Sequence, residues 1–405
     1  MRKAVQLGAS FRLHRIAILA IILALSGCSQ SASPAPTVAT SAQQSIRSLA
    51  PSASPSPKPE PGFSATGSMT TPRFGHTATL LNDGRVLIVG GASAYSTSAG
   101  ANVLGSAELF DPLTGKFSAT GPMTTARGMH TATALVNGRI LIAGGMGDGG
   151  QLLASAETYD PQTGKFTPTG SMTTARYGST ATLLPDGRVL VAGGFDGPST
   201  PSSSAELYDP QTGEFTPTGS MTTARDYHTA TLLPSGQVLI AGGFGTGLLK
   251  SSEIYDPRTG KFTASGTMDW ARESHTATLL PSGLVLVTGG GGGRSLTPMA
   301  MSELYDPSTG KFSDTSPMSS QRSAHTATLL ANGLVLIAGG YEESSAELYD
   351  PQKAKFEVTK PMTQASFDHT ATLLNDGRVL IAGGRSYASD GSSSTGLASA
   401  EIYQP

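Results

Sequence analysis

One unit of sequence, written seven times, constrains this 405-residue chain more than any other feature it has. A His-Thr-Ala-Thr-Leu-Leu run passes through a Gly turn into Arg-Val-Leu-Ile and a Gly-Gly pair. Ala-Glu-Leu-Tyr-Asp-Pro follows, then Thr-Gly-Lys-Phe and Thr-Gly-Ser-Met-Thr-Thr-Ala-Arg. The doublets begin at Gly90, Gly144, Gly193, Gly242, Gly289, Gly339 and Gly383, in steps of 54, 49, 49, 47, 50 and 44 residues. Each unit holds four apolar-rich stretches separated by turn signals, and no 3.6-residue periodicity appears, so the repeat is built of strands.

Turn chemistry agrees. Gly84, Gly138, Gly187, Gly236, Gly283, Gly333 and Gly377 stand at one place after the first stretch. A short hairpin needs a residue at positive φ there, which Gly adopts without steric cost. In Asp-Pro-x-Thr-Gly, Pro presets φ, the Asp carboxylate accepts from turn amides, and Gly takes the left-handed site. The sixth unit has Lys353-Ala354 in place of Thr-Gly. Ala in that conformation costs about 1 kcal/mol, so this turn is expected either to change type or to be locally less stable. The first stretch of each unit is Thr and Ala with little bulk, which suits an innermost strand where units converge on an axis.

With these motifs the chain resembles the kelch-repeat family, in the galactose-oxidase-like propeller superfamily, over Phe63 to Pro405. The resemblance implies an all-β, seven-bladed β-propeller. The outer-strand Phe occurs at Phe63, Phe117, Phe166, Phe215, Phe262, Phe312 and Phe356, whereas the sequence stops just after the third strand of the last unit. The orphan strand from Gly62 to Met69 is therefore expected beside Ala400–Tyr403, closing the last blade and removing an exposed edge.

The expected organisation is a signal peptide at 1–27, a Ser/Pro/Ala tether at 28–61 and the propeller at 62–405. Residues 1–27 carry Arg2, Lys3, Arg12 and Arg15, no acid, and an apolar run from Ile16 to Leu25 that is too short for a permanent span. Leu25-Ser26-Gly27-Cys28 resembles a bacterial lipobox, which implies lipid attachment at Cys28, the only cysteine of the chain. Two or three acyl chains would give stable anchoring. The tether lacks the apolar bulk to fold and could reach roughly 100 Å at about 3 Å per residue. The implied address is the bacterial cell envelope, outside the cytoplasm, at the outer membrane or cell surface.

Composition excludes other classes. The single cysteine rules out a disulfide within the chain and Cys-based zinc sites. Net charge is −2, and loss of residues 1–27 removes four basic residues and no acids, so no basic excess exists for nucleic acid.

Positions identical in almost every unit serve what every blade needs. Glu108, Glu157, Glu206, Glu253, Glu303, Glu347 and Glu401 recur, as do Arg73, Arg127, Arg176, Arg225, Arg272 and Arg322, with Ser366 in the seventh place. A structural Glu–Arg pair is expected. His76, His130, His228, His275, His325 and His369 recur with Ser179 in the third slot, and are expected to be structural, spread around an axis and not gathered on one metal. The superfamily's copper chemistry, as in galactose oxidase, uses a Cys–Tyr crosslink, and the only cysteine here lies at the lipid site. No metal and no cofactor is expected.

The unit-specific positions are the candidate site. In kelch propellers ligands commonly sit on the face formed by the loops after the doublet and those leading into the first strand. Carried over, this face holds Phe74, Met129, Met146, Tyr177, Phe195, Asp226, Tyr227, Phe244, Glu273, Tyr341, Phe367, Asp368 and Arg385, beside Ala92 and Gly291. Aromatic faces with carboxylates suit sugar rings or peptide side chains. The alternative is that these residues only plug the channel mouth. The long Ser/Gly-rich loops Ala92–Gly105 and Arg385–Ala398 are expected to be mobile. The functional expectation is a monomeric, non-catalytic binding face for an envelope or extracellular protein or glycan. A carbohydrate-active enzyme, mutarotase- or lyase-like, is the alternative, with Asp226, Glu273, Asp368 and Arg385 as its candidate residues.

Overall fold

A computed structural model describes residues 60–96, 100–197, 200–292, 297–387 and 393–405. Residues 1–59, which include the expected signal peptide, Cys28 and most of the expected tether, lie outside the described residues. Seven four-stranded antiparallel sheets follow one another along the chain, each ordered from an inner strand outward. The first blade comprises Thr77–Leu80, Val86–Val89, Ala107–Asp111 and Lys116–Ala119, and the pattern repeats through the sixth. The inner strands, Thr77–Leu80, Thr131–Ala134, Thr180–Leu183, Thr229–Leu232, Thr276–Leu279, Thr326–Leu329 and Thr370–Leu373, each touch the two neighbouring inner strands and so close a circle. Thr and Ala permit that approach because they add little width at the axis.

The seventh blade is shared between the two ends of the chain. Gly62–Ala65 pairs antiparallel with Ala400–Gln404, in the register Phe63↔Tyr403 and Ala65↔Glu401. Phe63 and Tyr403 lie with ring centroids 4.9 Å apart, close to the 4.8 Å of Tyr159–Phe166 in the second blade. The closing strand therefore occupies the outer-strand position of an ordinary blade.

The second strands, such as Val86–Val89, are buried along their whole length because a blade covers each of their faces. Their side chains interdigitate across seams: Val86, Ile88 and Phe110 of blade 1 pack with Leu374, Leu380 and Ile402 of blade 7. Polar zippers cross the same seams. His130 Nε2 lies 3.0 Å from Thr77 Oγ1, and His76 Nε2 lies 3.1 Å from Thr370 Oγ1 across the closing seam. His228, His275, His325 and His369 repeat the contact. Farther out, Tyr159 Oη meets Thr120 Oγ1 at 2.9 Å. The histidines thus take the structural place expected of them.

The Glu–Arg pairs are buried and lie within blades. Arg73 donates to Glu108 at 2.8 Å and to the Gly90 carbonyl at 2.8 Å, while Glu108 accepts from the Thr70 and Thr71 amides. The pair fastens the segment arriving from the preceding blade to the third strand. In blade 7 Ser366 Oγ donates to the Gly383 carbonyl, and Glu401 accepts from Thr363 alone among these contacts.

Two expectations need correction. Ala354 sits at φ 51°, beside 66° for Gly115 and 67° for Gly310, so the sixth turn keeps its type and only the strain alternative survives. The described parts of the long loops of blades 1 and 7 are paired, while their residues 97–99 and 388–392 lie outside the described residues. Ala92–Ser96, Gly100–Val103, Arg385–Tyr387 and Ser393–Gly396 form an additional four-stranded sheet, joined across the closing seam by Ser394↔Tyr95 and Thr395↔Ala94. Backbone hydrogen bonding between two loops supplies the order that neither composition suggests.

Candidate functional site

The loops after the doublets and the segments leading into the inner strands meet on one face of the ring. Each lead-in segment places one residue in the left-handed region just before the His slot: Gly75, Met129, Gly178, Tyr227, Ser274, Ala324 and Asp368, at φ between 45° and 63°. Five of the seven are not glycine, which is a concentration of backbone strain at one annulus. A belt of amides holds it. Met129 N–H donates to the Gly75 carbonyl at 2.9 Å, Gly178 to Met129 at 3.4 Å and Tyr227 to Gly178 at 3.4 Å. Ser274 donates to Tyr227 at 3.2 Å, Ala324 to Ser274 at 3.0 Å and Asp368 to Ala324 at 3.3 Å.

Outside this annulus the post-doublet residues bridge to the lead-in residues, as in Tyr177↔Phe195, Asp226↔Phe244, Glu273↔Gly291 and Phe367↔Arg385. Two clusters result. In blades 2–4 Tyr177 stacks on Phe195 at 4.8 Å, Phe195 meets Tyr227 edge-on at 5.9 Å, and Met129 and Met146 pack against the group. In blades 6, 7 and 1 Arg385 lies 4.7 Å from the Phe74 ring and 4.9 Å from Phe367, and Tyr387 stacks on Phe367. Arg385 Nε donates to Asp368 at 2.7 Å, and its Nη1 lies 3.4 Å from Ser394 Oγ. Tyr341 packs on both Phe367 and Tyr387.

Most of the candidates are covered. Phe74, Tyr177, Phe195, Asp226, Tyr227, Glu273, Phe367, Asp368 and Arg385 are buried, while Tyr341 and Phe244 are partly exposed. The aromatic members therefore act mainly as packing around the channel mouth. The polar members differ. Both carboxyl oxygens of Asp226, Oε2 of Glu273 and Oη of Tyr227 are buried with no protein hydrogen-bond partner among the described residues. Burial, then the nearby Glu273 charge, pushes the Asp226 carboxyl up to about 9; burial pushes Glu273 up to about 7. Burial also pushes the Tyr227 phenol well up, with Tyr177, Asp226, Asp368 and Glu273 adding in the same direction. Acids from three blades thus act on one phenol.

Sequence reasoning missed Tyr387 and Ser394, which complete the Arg385 cage. The alternation Arg385-Ser386-Tyr387 carried a strand signal, obscured by the Ser/Gly-rich composition around it.

The fold and its repeated motifs define a kelch-repeat β-propeller. The kelch motif is matched at residues 127–173 and 176–222. A solved structure of a fungal alcohol oxidase of the AA5 family, in complex with copper, is similar with a TM-score of 0.69 at 18% identity, covering 85% of this chain and 76% of that one. No curated protein matches the sequence. The likeness to the oxidase is one of fold. The axial face here offers carboxyls and phenols but no thiol among the described residues, and its imidazoles are tied into the seams through Nε2. This donor set, without a thiol among the described residues, does not fit a Cys–Tyr copper site.

Proposed function

We propose that this protein is a lipid-anchored kelch propeller of the bacterial cell envelope, presenting its axial face to a protein or glycan and not catalysing a reaction. The observation that carries the binding reading is the set of unused hydrogen-bonding atoms on Asp226, Glu273 and Tyr227, held by strained backbone and aromatic packing. Rigid, preorganised polar groups favour recognition because little is left to order on binding. Support for the anchor comes from sequence: the apolar run ending at Cys28 and the tether behind it. No helix among the described residues is long and apolar enough to cross a membrane.

Full-length protein carrying Cys28→Ala is expected to lose radiolabelled palmitate and to leave the membrane fraction; unchanged labelling would sink the anchor. The intact protein is expected to retain a defined glycan on an array, or a defined protein from envelope extract. Failure of both would remove the binding reading.

One observation favours the enzymatic alternative. Asp226 holds its proton at neutral pH and Glu273, pushed up to about 7, is about half-ionised there, while Asp368 is paired with Arg385. Separated acids and bases of this kind can serve proton transfer on a sugar. Turnover of sialic-acid anomers or glycosides, abolished by Glu273→Gln, would select that reading.

A further inference from the structure

Asp226 leads into blade 4 and Glu273 into blade 5, so the two carboxyls are neighbours in the ring. With Tyr227 they present buried oxygens that no described residue satisfies. Buried polar groups are ordinarily paired, and unpartnered oxygens gathered on one face call for a water, an ion or a ligand.

The surroundings specify which. Arg385 pairs with Asp368 through Nε and lies over the Phe74 and Phe367 rings in another sector, with its Nη2 buried and unpartnered among the described residues. Asp226 acts on the Tyr177 and Tyr227 phenols, and these rings pack with Phe195, Tyr177 stacked on it and Tyr227 edge-on. Carboxyls backed by aromatic faces complement a positive charge and its carbon stem. The post-doublet slot bridged to Glu273 is Gly291, which has no side chain, where other blades place Met146, Phe195, Phe244 or Tyr341.

We infer that Asp226, Glu273 and Tyr227, walled by Tyr177 and Phe195, form a subsite for a compact organic cation, a primary ammonium or guanidinium. Such a group ends a Lys or Arg side chain, and an ammonium also stands on an amino sugar. The inference deepens the binding-face reading and rests on it.

The charge balance is explicit. Asp226 keeps its proton at neutral pH because burial and Glu273 oppose its ionisation. The groups facing it are Glu273, Tyr177 and Tyr227, with Asp368 acting on the Tyr227 phenol from the far side and Arg385 paired to Asp368. An arriving ammonium forms an ion pair with the Asp226 carboxylate, and the carboxyl proton passes to solvent. Affinity then rises with pH, since fewer protons must be displaced.

Isothermal titration calorimetry of the full chain with n-butylammonium and 1-butanol tests this. The amine is expected to bind at least tenfold more tightly than the alcohol, to tighten several-fold from pH 6 to pH 8, and to release close to one proton per site. Asp226→Asn and, independently, Glu273→Gln, each checked for fold by circular dichroism, should weaken the amine at least tenfold. Amine binding no tighter than butanol, or unchanged in both variants, would overturn the subsite. A parallel pair, glucosamine against N-acetyl-lysine methylamide, assigns the source by whichever binds more tightly, and either assignment supports the site. If the amines bind but no macromolecule is retained from arrays or extract, the broader reading fails while this one stands.

Discussion

Ala354 shows how a single residue departs from its repeat without changing the fold. Its φ of 51° matches the glycines it replaces, and its carbonyl accepts Ser316 Oγ from the preceding blade at 2.6 Å. Corresponding glycine carbonyls accept a neighbour's amide, as Gly164 does from Gly121. The seam holds the turn in place, and the side chain bears a steric cost there. Ala354→Gly is therefore expected to stabilise the protein by about 1 kcal/mol in urea denaturation, and a neutral or destabilising result would remove strain as the explanation. The same logic at the axial annulus, where Met129, Tyr227, Ser274, Ala324 and Asp368 all sit left-handed, separates scaffold from site. Glycine would be the unstrained choice at each, yet it stands only at Gly75 and Gly178.

At the scale of the element, the seams between blades govern the response to acid. Burial holds His130, His228 and His325 down to about 3 and His369 to about 4, and pushes His76 and His275 well below the usual imidazole range. Below pH 6.5 the unfolded chain binds protons that the native seams refuse. The histidine contribution is therefore complete above about 6.5 and is lost as pH falls toward 3–4, at up to about 1.4 kcal/mol per pH unit for each residue. Asp226 and Glu273 run the other way, binding protons in the native state as pH falls, but they are fewer. The urea midpoint should decline steeply between pH 6 and 4, and His275→Gln should flatten that decline. A midpoint constant across the window would contradict neutral seam histidines. Blade 3 lacks one such zipper at Ser179, and the closing seam has Phe110 where other blades have a tyrosine hydroxyl.

For the whole molecule, closure is the main condition of stability. Seven blades share their cores with neighbours, so a gap at one seam exposes two apolar faces and a strand edge. Deleting residues 60–66 should uncover the Ala400–Gln404 edge, cause aggregation in size-exclusion chromatography and lower the thermal midpoint by roughly 10 °C or more. A monomer of unchanged midpoint would show that the closing strand is dispensable. The paired loops of blades 1 and 7 straddle this same seam, and with Ser394 and Tyr387 they tie ring closure to the Arg385 cage.

The repeat by itself determined the blade number, the strand order and the position of the closing strand, because each depends on local period, turn residues and a count. It also set what every blade shares, in the seams as with His275 or within the blade as with Glu253, apart from the blade-specific positions of the axial face. Tertiary structure alone decided that Asp226 lies buried without a hydrogen-bond partner in the field of Glu273, and that Arg385 is held by Asp368 and the aromatic rings. It also decided that two Ser/Gly-rich loops find each other. Those outcomes depend on distances between residues far apart in the chain, and on how much water their packing excludes; neither quantity has a local signature in sequence.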